Sequence, residues 1–399
     1  MRPESSVRRV AIACGGTGGH VFPGLAVAQA LKARGIEVVL FVSPKDVDRR
    51  ALHGKSAGLR VESLPMVGLT GGNLPSFLRA LWRGYRVSQR VFADWLPDAV
   101  LGMGGFTSAG PILAGWRRGV FCCFHESNSV PGRANRWLAR IADAGFVGFS
   151  SASEKLRTAR VWVTGTPVRP EFRTATRKAA CSALGLDAGR PVLLVMGGSQ
   201  GARGVNQLVS EAVPGLAERF PSLQFCHLTG VSDQDAVRAA YAAAGIPALI
   251  QPFSDRMDQM MSAATVAVSR SGASSLAELA AVRLPALLVP YPNATDNHQR
   301  LNAEVYASAG AARILEQASS SPEDLISAVS DLLQDPELLS SMHGALAGLD
   351  VPDAAERIAN GIERRGLPPS EGSELTAAQP LLDGRPGRRL AREQMEEVA

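Results

Sequence analysis

The feature that most constrains this chain is a series of short apolar runs, each bounded by glycine or proline and separated by segments with helical patterning. The runs lack polar alternation, which favours strands buried on both faces of a parallel sheet. Strands that alternate with helices predict an α/β, doubly wound architecture. The strand runs include Val10–Cys14, Val38–Val42, Ala99–Leu101, Val120–Phe124, Pro191–Met196, Thr265–Val268 and Ala286–Val289, and the helical segments include Gly24–Arg34, Arg133–Ile141, Val205–Arg219 and Ser274–Val282.

The same order of elements begins twice along the chain. A strand, a glycine turn and a helix open at Val10–Leu31 and again at Pro191–Leu216. This repetition predicts two Rossmann-like domains facing a cleft, with ligands bound at the carboxyl ends of the strands. Pro167 and Pro170 interrupt regular structure near Gly165–Ala180, where we place the boundary. The predicted units are 1–165, then 166–366, whose last helix can pack back on the first domain, and a disordered tail at 367–399.

Composition excludes several classes of protein. Of 399 residues, 46% are hydrophobic and 20% are charged, which is typical of globular chains. The net charge of +5 is too mild to indicate nucleic-acid binding. Five cysteines without a CxxC pair predict neither disulfides nor a metal site, and they fit a reducing compartment. No run reaches about 18 apolar residues and no signal peptide is recognisable, so we expect membrane contact to be peripheral.

Three glycine-containing loops follow predicted strands and open helices. The first, Gly15–His20, has neither the GxGxxG dinucleotide spacing nor the Gly-Lys-Ser/Thr of a P-loop. The second, Met196–Ala202, places Ser199 at a helix start. The third, Ser269–Ser275, precedes a helix that carries Glu278. Because backbone N–H groups and helix N-termini bind phosphate oxygens, three such loops in both halves predict a cleft for a diphosphate.

These loops and several further segments resemble the MurG family of peptidoglycan glycosyltransferases, from about Val10 to Gly361. The matching segments are Gly15–Gly24, Gly102–Ser108, His125–Asn128, Thr164–Arg169, Gly197–Ala202, Ser269–Glu278 and Asp296–Gln299. The resemblance implies a two-domain glycosyltransferase fold of the B type that inverts at the sugar, with no cofactor or bound metal. It implies UDP-N-acetylglucosamine as donor and undecaprenyl-pyrophosphoryl-N-acetylmuramoyl-pentapeptide (lipid I) as acceptor, giving lipid II for peptidoglycan.

The resemblance also implies roles for individual residues. The donor-binding set is Thr17, Gly18, Gly19, Asn128, Arg169, Ser199, Ser254, Ala273, Ser274, Ser275, Leu276, Ala277, Glu278 and Gln299. Asn128 and Gln299 would face the sugar, and Arg169 would contact the diphosphate. The segment ending at Glu278 would wrap phosphate and ribose, with that carboxylate accepting from ribose hydroxyls. At Ser254 the family often has isoleucine, where the backbone reads uracil, and a backbone contact tolerates serine.

The implied reaction needs a general base and positive potential around the leaving diphosphate. His20 is the favoured base because an imidazole with a pKa of about 6.5 accepts a proton at neutral pH. His125 and Glu126, on the loop after the strand Val120–Phe124, are the alternatives. The other interpretation is that these groups bind the acceptor pyrophosphate or fix loops.

A basic stripe is expected on one helix of the N-terminal half. It consists of Arg79, Arg83, Arg86 and Arg90, at spacings of four, three and four residues. The apolar and aromatic residues expected on the opposite arc are Phe77, Leu78, Leu81, Trp82, Tyr85 and Phe92. A basic amphipathic segment with aromatic residues such as Trp82 suits an anionic bilayer surface, although an ordinary domain helix could show the same pattern. The resemblance favours peripheral attachment to the cytoplasmic face of the inner membrane, with cell-wall synthesis and division proteins as further partners.

Three other functions fit parts of the pattern. Another glycolipid-forming UDP-sugar transferase, such as a diacylglycerol glycosyltransferase, would share the phosphate loops but differ at Gly102–Ser108 and His125–Asn128. A nicotinamide-dependent oxidoreductase would need GxGxxG and an acid at the end of the second strand, which this chain lacks. A non-catalytic scaffold of the division machinery would be expected to lose residues such as His20 and Gln299, which are intact.

Overall fold

Two parallel sheets organise the chain. The computed structural model describes residues 7–44, 48, 58–65, 74–158, 160–198 and 201–365. The first sheet consists of β1 (Arg9–Ala13), β2 (Glu37–Val42), β3 (Arg60–Ser63), β4 (Ala99–Gly102), β5 (Phe121–Glu126), β6 (Ala144–Val147) and β7 (Val161–Val163). These seven strands lie in the order β3-β2-β1-β4-β5-β6-β7. The chain therefore builds outward from β1 in one direction and from β4 in the other.

The second sheet repeats this order. It consists of β8 (Val192–Met196), β9 (Gln224–Leu228), β10 (Ala248–Gln251), β11 (Val266–Ser269), β12 (Ala286–Leu288) and β13 (Ala312–Ile314). The six strands lie in the order β10-β9-β8-β11-β12-β13, with the reversal of direction between β8 and β11. The doubly wound architecture predicted from the apolar runs is confirmed.

Helices cover both faces of each sheet. They are α1 (Gly18–Ala33), α2 (Leu74–Asp94), α3 (Ala109–Arg117), α4 (Arg133–Leu138), α5 (Ser150–Ser153), α6 (Glu171–Thr174), α7 (Arg177–Leu184), α8 (Arg203–Arg219), α9 (Gln234–Ala243), α10 (Met257–Ala263), α11 (Ala273–Val282), α12 (His298–Ser308), α13 (Pro322–Gln334), α14 (Pro336–Leu349) and α15 (Ala354–Glu363), with 3-10 turns at Phe106–Ser108 and Thr295–Asn297. Along β1, Val10 and Ile12 face the core layer under α1, whereas Ala11 and Ala13 face the layer under α3. Burial on both faces explains why the strand runs lack polar alternation.

The last helix returns to the first sheet. Ile358, Ala359 and Ile362 of α15 are fully buried in the same core cluster as residues of β1 and α1. At the edge of this contact, Arg34 pairs with Glu356 and Glu363. We therefore use N-lobe for the first sheet with α1–α5 and α15, and C-lobe for the second sheet with α6–α14.

The first helix starts earlier than predicted. It begins at Gly18 instead of Gly24, and Pro23 lies inside it. A proline inside a helix removes one intrahelical hydrogen bond. Here the lost bond falls near the first turn. The consequence is that His20 belongs to the helix and not to the loop.

The helix with the arginine stripe is amphipathic in a different way from that expected. Residues Ala80, Ser88 and Phe92 of α2 are buried, and Gly84 approaches the backbone of α3 at Gly110. The prediction that Leu78 and Trp82 lie opposite the arginines was wrong, since they are 51% and 58% exposed. Positions 78, 82 and 86 are four residues apart and so share the solvent face with the arginines. None of the described helices is long and apolar enough to span a bilayer.

Candidate functional site

The loops singled out in the sequence lie where the strand order reverses. In the N-lobe, β1 and β4 are neighbours, with Ala13 opposite Gly102. In the C-lobe, β8 and β11 are neighbours, with Met196 opposite Ser269. Ligands of open α/β sheets bind outside the carboxyl ends of the strands at such points. Each lobe therefore brings two of its loops to a binding position.

The two reversal points meet across the cleft. Ser274 Oγ, at the start of α11, donates to the carbonyl oxygen of Gly19 at the start of α1, at 2.8 Å. In an α-helix that oxygen would accept from the N–H of residue 23, but Pro23 has none. The proline thus leaves Gly19 O available to the other lobe.

His20 lies on the first turn of α1 beside the loop after β4. Its Nδ1 is 3.2 Å from Thr17 Oγ1. A Cβ at Gly104 would lie 3.1 Å from Nε2 of the ring, and Gly104 has a φ of +101°, so a larger residue would be strained and would press on the imidazole. Desolvation lowers the pKa of His20, and the negative charges of Glu126 and Asp48 oppose that shift. The ring is therefore neutral at pH 7 and can accept a proton.

Asp48 is a site residue that sequence reasoning missed. It is fully buried, and its Oδ2 accepts from the backbone N–H of Gly16 at 2.8 Å and that of Ser43 at 2.9 Å. The Ser43 hydroxyl also donates to Oδ2, at 2.5 Å. The first glycine turn is thus held by the protein's own carboxylate. Nothing in the local sequence pattern indicates this contact, because Asp48 follows β2 without any motif.

The two alternative bases are occupied in the structure. His125 is fully buried; its Nε2–H donates to Gly165 O at 3.0 Å and its Nδ1 accepts from Ser127 Oγ at 3.3 Å. Burial lowers the pKa of His125 to about 4, so the ring stays neutral. Its two nitrogens connect the end of β5 to the segment that leaves the N-lobe.

Glu126 organises the loop after β5. Its Oε1 accepts from the backbone N–H of Asn128 at 2.9 Å and from Asn128 Nδ2 at 3.0 Å. Its Oε2 accepts from Gly132 N and Asn135 Nδ2, both at 2.9 Å. Each oxygen of this buried carboxylate therefore already accepts two hydrogen bonds.

Asn128 lies at the contact between the lobes. Its Oδ1 accepts from Asn302 Nδ2 of α12 at 3.1 Å, while Glu126 holds its Nδ2. Asn302 is fully buried and was not among the residues predicted from the sequence. The signal for it was weak, because an isolated asparagine on a helix carries no motif.

Arg169 is a buried cation on the segment where the chain first passes from the N-lobe to the C-lobe. Its guanidinium stacks on Phe22 of the N-lobe at 4.2 Å and on Phe172 at 4.9 Å. Its Nη2 is 3.7 Å from Glu278 Oε1, which joins two predicted donor-binding residues. Its Nε is buried without a hydrogen-bond partner among the described residues. The arrangement leaves a donor and a positive charge beside the cleft.

The start of α11 lies directly on the cleft. Its N-cap, Gly272, is extended, and Ser274 and Ser275 are half-buried on the first turn. Leu276, in contrast, is fully buried in the C-lobe core. It supports the helix from inside, so that only its backbone could contact a ligand. The N–H groups of the first turn and the helix dipole give this end a positive potential.

Arg270 adds a full charge just before this helix. Nη1 donates to the carbonyl oxygens of Val289 at 2.9 Å and Pro290 at 3.0 Å, and Nη2 donates to Gln317 Oε1 at 2.5 Å. Burial lowers the pKa of Arg270 to about 10, which still leaves it charged at neutral pH. Within the described ranges, no carboxylate forms an ion pair with it. The loop sequence contained this residue, but no role was predicted for it.

The remaining predicted residues are placed as follows. Ser254 is buried and its Oγ accepts from the backbone N–H of Arg256 at 3.1 Å. Gln299, at the start of α12, accepts at Oε1 from the backbone N–H of Tyr291 at 3.0 Å. Ser199 lies outside the described residues. In the part of the chain that is described, no group of three or more His, Cys, Asp or Glu side chains could hold a metal ion.

Comparison with known proteins supports the two-domain fold. The glycosyltransferase family 28 N-terminal domain matches residues 10–147, and the family 28 C-terminal domain matches residues 192–358. The chain is 40% identical, over 82% of its length and 90% of the relative, to the UDP-N-acetylglucosamine--N-acetylmuramyl-(pentapeptide) pyrophosphoryl-undecaprenol N-acetylglucosamine transferase of Acidithiobacillus ferrooxidans. This chain belongs to glycosyltransferase family 28. The resemblance inferred from the sequence is confirmed.

Further relatives support the family-28 assignment. A Myxococcus xanthus protein of the same name is 35% identical over 88% of this chain and 91% of that protein. Among solved structures, Acinetobacter baumannii MurG superposes with a TM-score of 0.69 at 27% identity, covering 90% of this chain and 99% of that one. The two family-28 models leave out residues 148–191, the stretch that contains the first crossing between the lobes.

Proposed function

We propose that this family-28 chain transfers N-acetylglucosamine from UDP-N-acetylglucosamine to undecaprenyl-pyrophosphoryl-N-acetylmuramoyl-pentapeptide, with inversion at the anomeric carbon. The printed names of the relatives specify the same sugar and acceptor. The observation that carries the proposal is the meeting of the two helix starts, joined from Ser274 to Gly19 at 2.8 Å, with His20 next in the chain. A base from one lobe lies beside a phosphate-binding helix start from the other.

The donor is bound mainly by the C-lobe. The start of α11 and Arg169 provide the positive potential for its diphosphate, as helix N-termini and arginines do for phosphate groups. In this proposal Glu278 accepts from ribose hydroxyls, and the backbone of the Ser254 loop contacts uracil. Asn128 and Gln299 are the residues that face the sugar.

The transfer step forms one C–O bond and breaks another. The acceptor hydroxyl attacks the anomeric carbon opposite the diphosphate, and its proton passes to Nε2 of His20. Nδ1–H of the same ring donates to Thr17 Oγ1, at 3.2 Å. UDP leaves with the electron pair of the broken bond, and the α11 N-terminus and Arg169 stabilise its charge.

We assign His125 and Glu126 to loop positioning and not to proton transfer. Both are buried, and the hydrogen bonds of each are already made within the protein. His20 differs because one ring nitrogen faces the glycine loop after β4, where only glycine leaves space beside it. This distinction supports His20 as the base.

The outer face of α2 is the proposed membrane contact. Trp82 and Leu78 are exposed beside the arginines, and Arg86 stacks over the Trp82 ring at 5.0 Å. Cationic side chains around exposed apolar groups match an anionic bilayer surface. This contact would hold the protein at the cytoplasmic face of the inner membrane, where the lipid acceptor and the cell-wall synthesis and division proteins are available.

Transfer assays test the proposal directly. Purified protein is incubated with radiolabelled UDP-N-acetylglucosamine and either the undecaprenyl-linked acceptor or diacylglycerol, and products are separated by chromatography. We expect a labelled disaccharide lipid with the first acceptor alone, and calorimetric binding of UDP. Labelling of diacylglycerol would favour the rival glycolipid transferase, and absence of both UDP binding and transfer would contradict the proposal.

A further inference from the structure

Asn302 bridges the two lobes with every polar atom of its side chain. From α12 of the C-lobe, its Oδ1 accepts from the backbone N–H and the hydroxyl of Ser129 in the N-lobe, both at 2.9 Å. Its Nδ2 donates to Asn128 Oδ1 at 3.1 Å and to the carbonyl oxygen of Ser271 at 3.2 Å. The side chain is fully buried. Asn302 therefore makes all four hydrogen bonds that an amide side chain can make.

The chemistry of the partners fixes which way this amide points. The backbone N–H of Ser129 can only donate, and the carbonyl of Ser271 can only accept. If the oxygen and nitrogen of Asn302 were exchanged, its NH2 group would face the N–H donor of Ser129. Its oxygen would then face the acceptor oxygens of Asn128 and Ser271. The side chain is therefore held in one orientation, with its oxygen towards the N-lobe loop.

The bridge continues into the loop that carries Asn128. Glu126 fixes Asn128 Nδ2 from within the N-lobe at 3.0 Å, and Asn302 fixes Asn128 Oδ1 from the C-lobe. Separating the lobes would remove the second restraint and leave the side chain of Asn128 held by Glu126 alone. The side chain of Asn128 is thus set jointly by both lobes.

We propose that Asn302 is a positioning residue for glycosyl transfer, which couples closure of the lobes to the orientation of Asn128. This inference rests on the proposed function, in which Asn128 faces the donor sugar. Other polar contacts cross the same cleft, among them the hydroxyl of Ser274 with Gly19 and the exposed ion pair of Arg136 with Asp296. Asn302 differs from these two contacts because it is fully buried and because it contacts the loop that carries Asn128.

Asn302→Asp tests the coupling with almost no change of volume. The carboxylate keeps the acceptor for Ser129 but places negative charge against Asn128 Oδ1 and the Ser271 carbonyl. Loss of one buried hydrogen-bond partner corresponds to a decrease of about 10- to 100-fold in the rate of a step that depends on it. We expect that reduction in kcat, with UDP affinity changed by no more than about twofold, because UDP is bound by the C-lobe. Asn302→Ala should act in the same direction.

Lobe closure is measured separately from turnover. All five native cysteines are buried, so exposed cysteines introduced by Arg140→Cys in the N-lobe and Ala309→Cys in the C-lobe accept a spin-label pair. With UDP-N-acetylglucosamine bound, we expect a single short distance for the wild-type background and a broader, longer distribution for Asn302→Asp. Gln207→Ala, which removes an exposed amide from α8, is the matched control and should match the wild type in both measurements.

Ser129→Ala covers the case in which the Asn302 variants do not fold. It removes one hydroxyl from the N-lobe side of the bridge and should lower kcat in the same direction, by a smaller factor. The coupling would be overturned if Asn302→Asp had the kcat and the spin-label distances of the wild type. If Asn302→Asp does not fold, the same result for Ser129→Ala would overturn it. If wild-type protein itself neither binds UDP nor transfers sugar, the proposed function fails instead, so the two failures are distinguishable.

Discussion

At the scale of single residues, two histidines of one lobe have opposite surroundings. His125 is enclosed, with both nitrogens bonded to protein atoms, and burial lowers its pKa to about 4. His20 is half-buried, with one nitrogen near Thr17 and the other against the loop after β4. The same side chain therefore serves as a structural connector in one position and as the proposed base in the other.

Replacing the proposed base should remove most of the turnover. For His20→Gln we expect kcat to fall by about 10²- to 10⁴-fold, the usual contribution of a general base, with a small change in donor KM. A base acts in its deprotonated form, and desolvation lowers the pKa of His20 from 6.5, so wild-type activity should fall only as pH drops below 6.5. Steady-state kinetics between about pH 5 and pH 8 measure both the loss of kcat in the variant and the decrease of wild-type activity in acid.

The control for this variant is His343→Gln, an exposed histidine on α14, away from the cleft. It should leave kcat and the acid limb unchanged. A His20→Gln enzyme with near-normal kcat but weakened acceptor binding would instead assign His20 to binding of the acceptor.

Arg169 should control donor affinity. Arg169→Met removes a charge-assisted contact to the diphosphate, worth about 1.5–3 kcal/mol, and the stacking on Phe22 and Phe172. We expect UDP affinity, measured by calorimetry, to fall by about 10- to 100-fold. Arg173→Met is the control, since Arg173 lies on the same segment but pairs with Asp350. Equal losses of affinity in the two variants would argue against direct contact by Arg169.

At the scale of elements, α2 combines packing with an unusual outer face. Its inward residues account for its place in the fold, but burial does not explain why Leu78 and Trp82 are exposed among arginines. An ordinary surface helix would carry polar residues there. The outer face therefore supports a contact outside the molecule.

Removing the charges of α2 should weaken attachment to anionic membranes. We expect substitution of Arg79, Arg83, Arg86 and Arg90 by glutamine to reduce sedimentation with phosphatidylglycerol vesicles, each arginine contributing about 1 kcal/mol, and the effect to shrink as salt rises. Turnover of a short-chain, water-soluble acceptor should stay near normal. Arg219→Gln with Arg238→Gln, on exposed positions of α8 and α9, is the control. Unchanged vesicle binding in the α2 variant would reject this contact.

Prediction from the sequence succeeded where the signal was local. The apolar runs identified the buried strands, and the glycine turns identified the helix starts on the cleft. The contact of Asp48 with Gly16 spans 32 residues, and the contacts of Asn302 with Asn128 and Ser129 join different lobes, so neither could be predicted from the local sequence. Leu276 was included by its place in a motif, although its side chain is in the core. Whether the donor-binding residues act as proposed stays a prediction.

At the scale of the whole molecule, the last helix belongs to the first lobe. Ile358 is fully buried in the N-lobe core, so Ile358→Ala should destabilise that lobe by about 2–5 kcal/mol. All five tryptophans of the chain, at positions 82, 95, 116, 137 and 162, lie in the N-lobe, so tryptophan fluorescence during urea unfolding reports its stability. Ile326→Ala, on α13 of the C-lobe, should shift this signal less. Equal shifts would mean that the lobes unfold as one unit.

The return of α15 also governs how the protein is made. Domains generally fold in order of synthesis, with the N-terminal one first. Here the N-lobe lacks Ile358, Ala359 and Ile362 until nearly the whole chain has left the ribosome. During translation its sheet exposes an apolar groove on the layer under α1, while the C-lobe can already close around its own core. The lobe made first is therefore the lobe finished last, and a chain cut short before residue 354 leaves that groove open to aggregation.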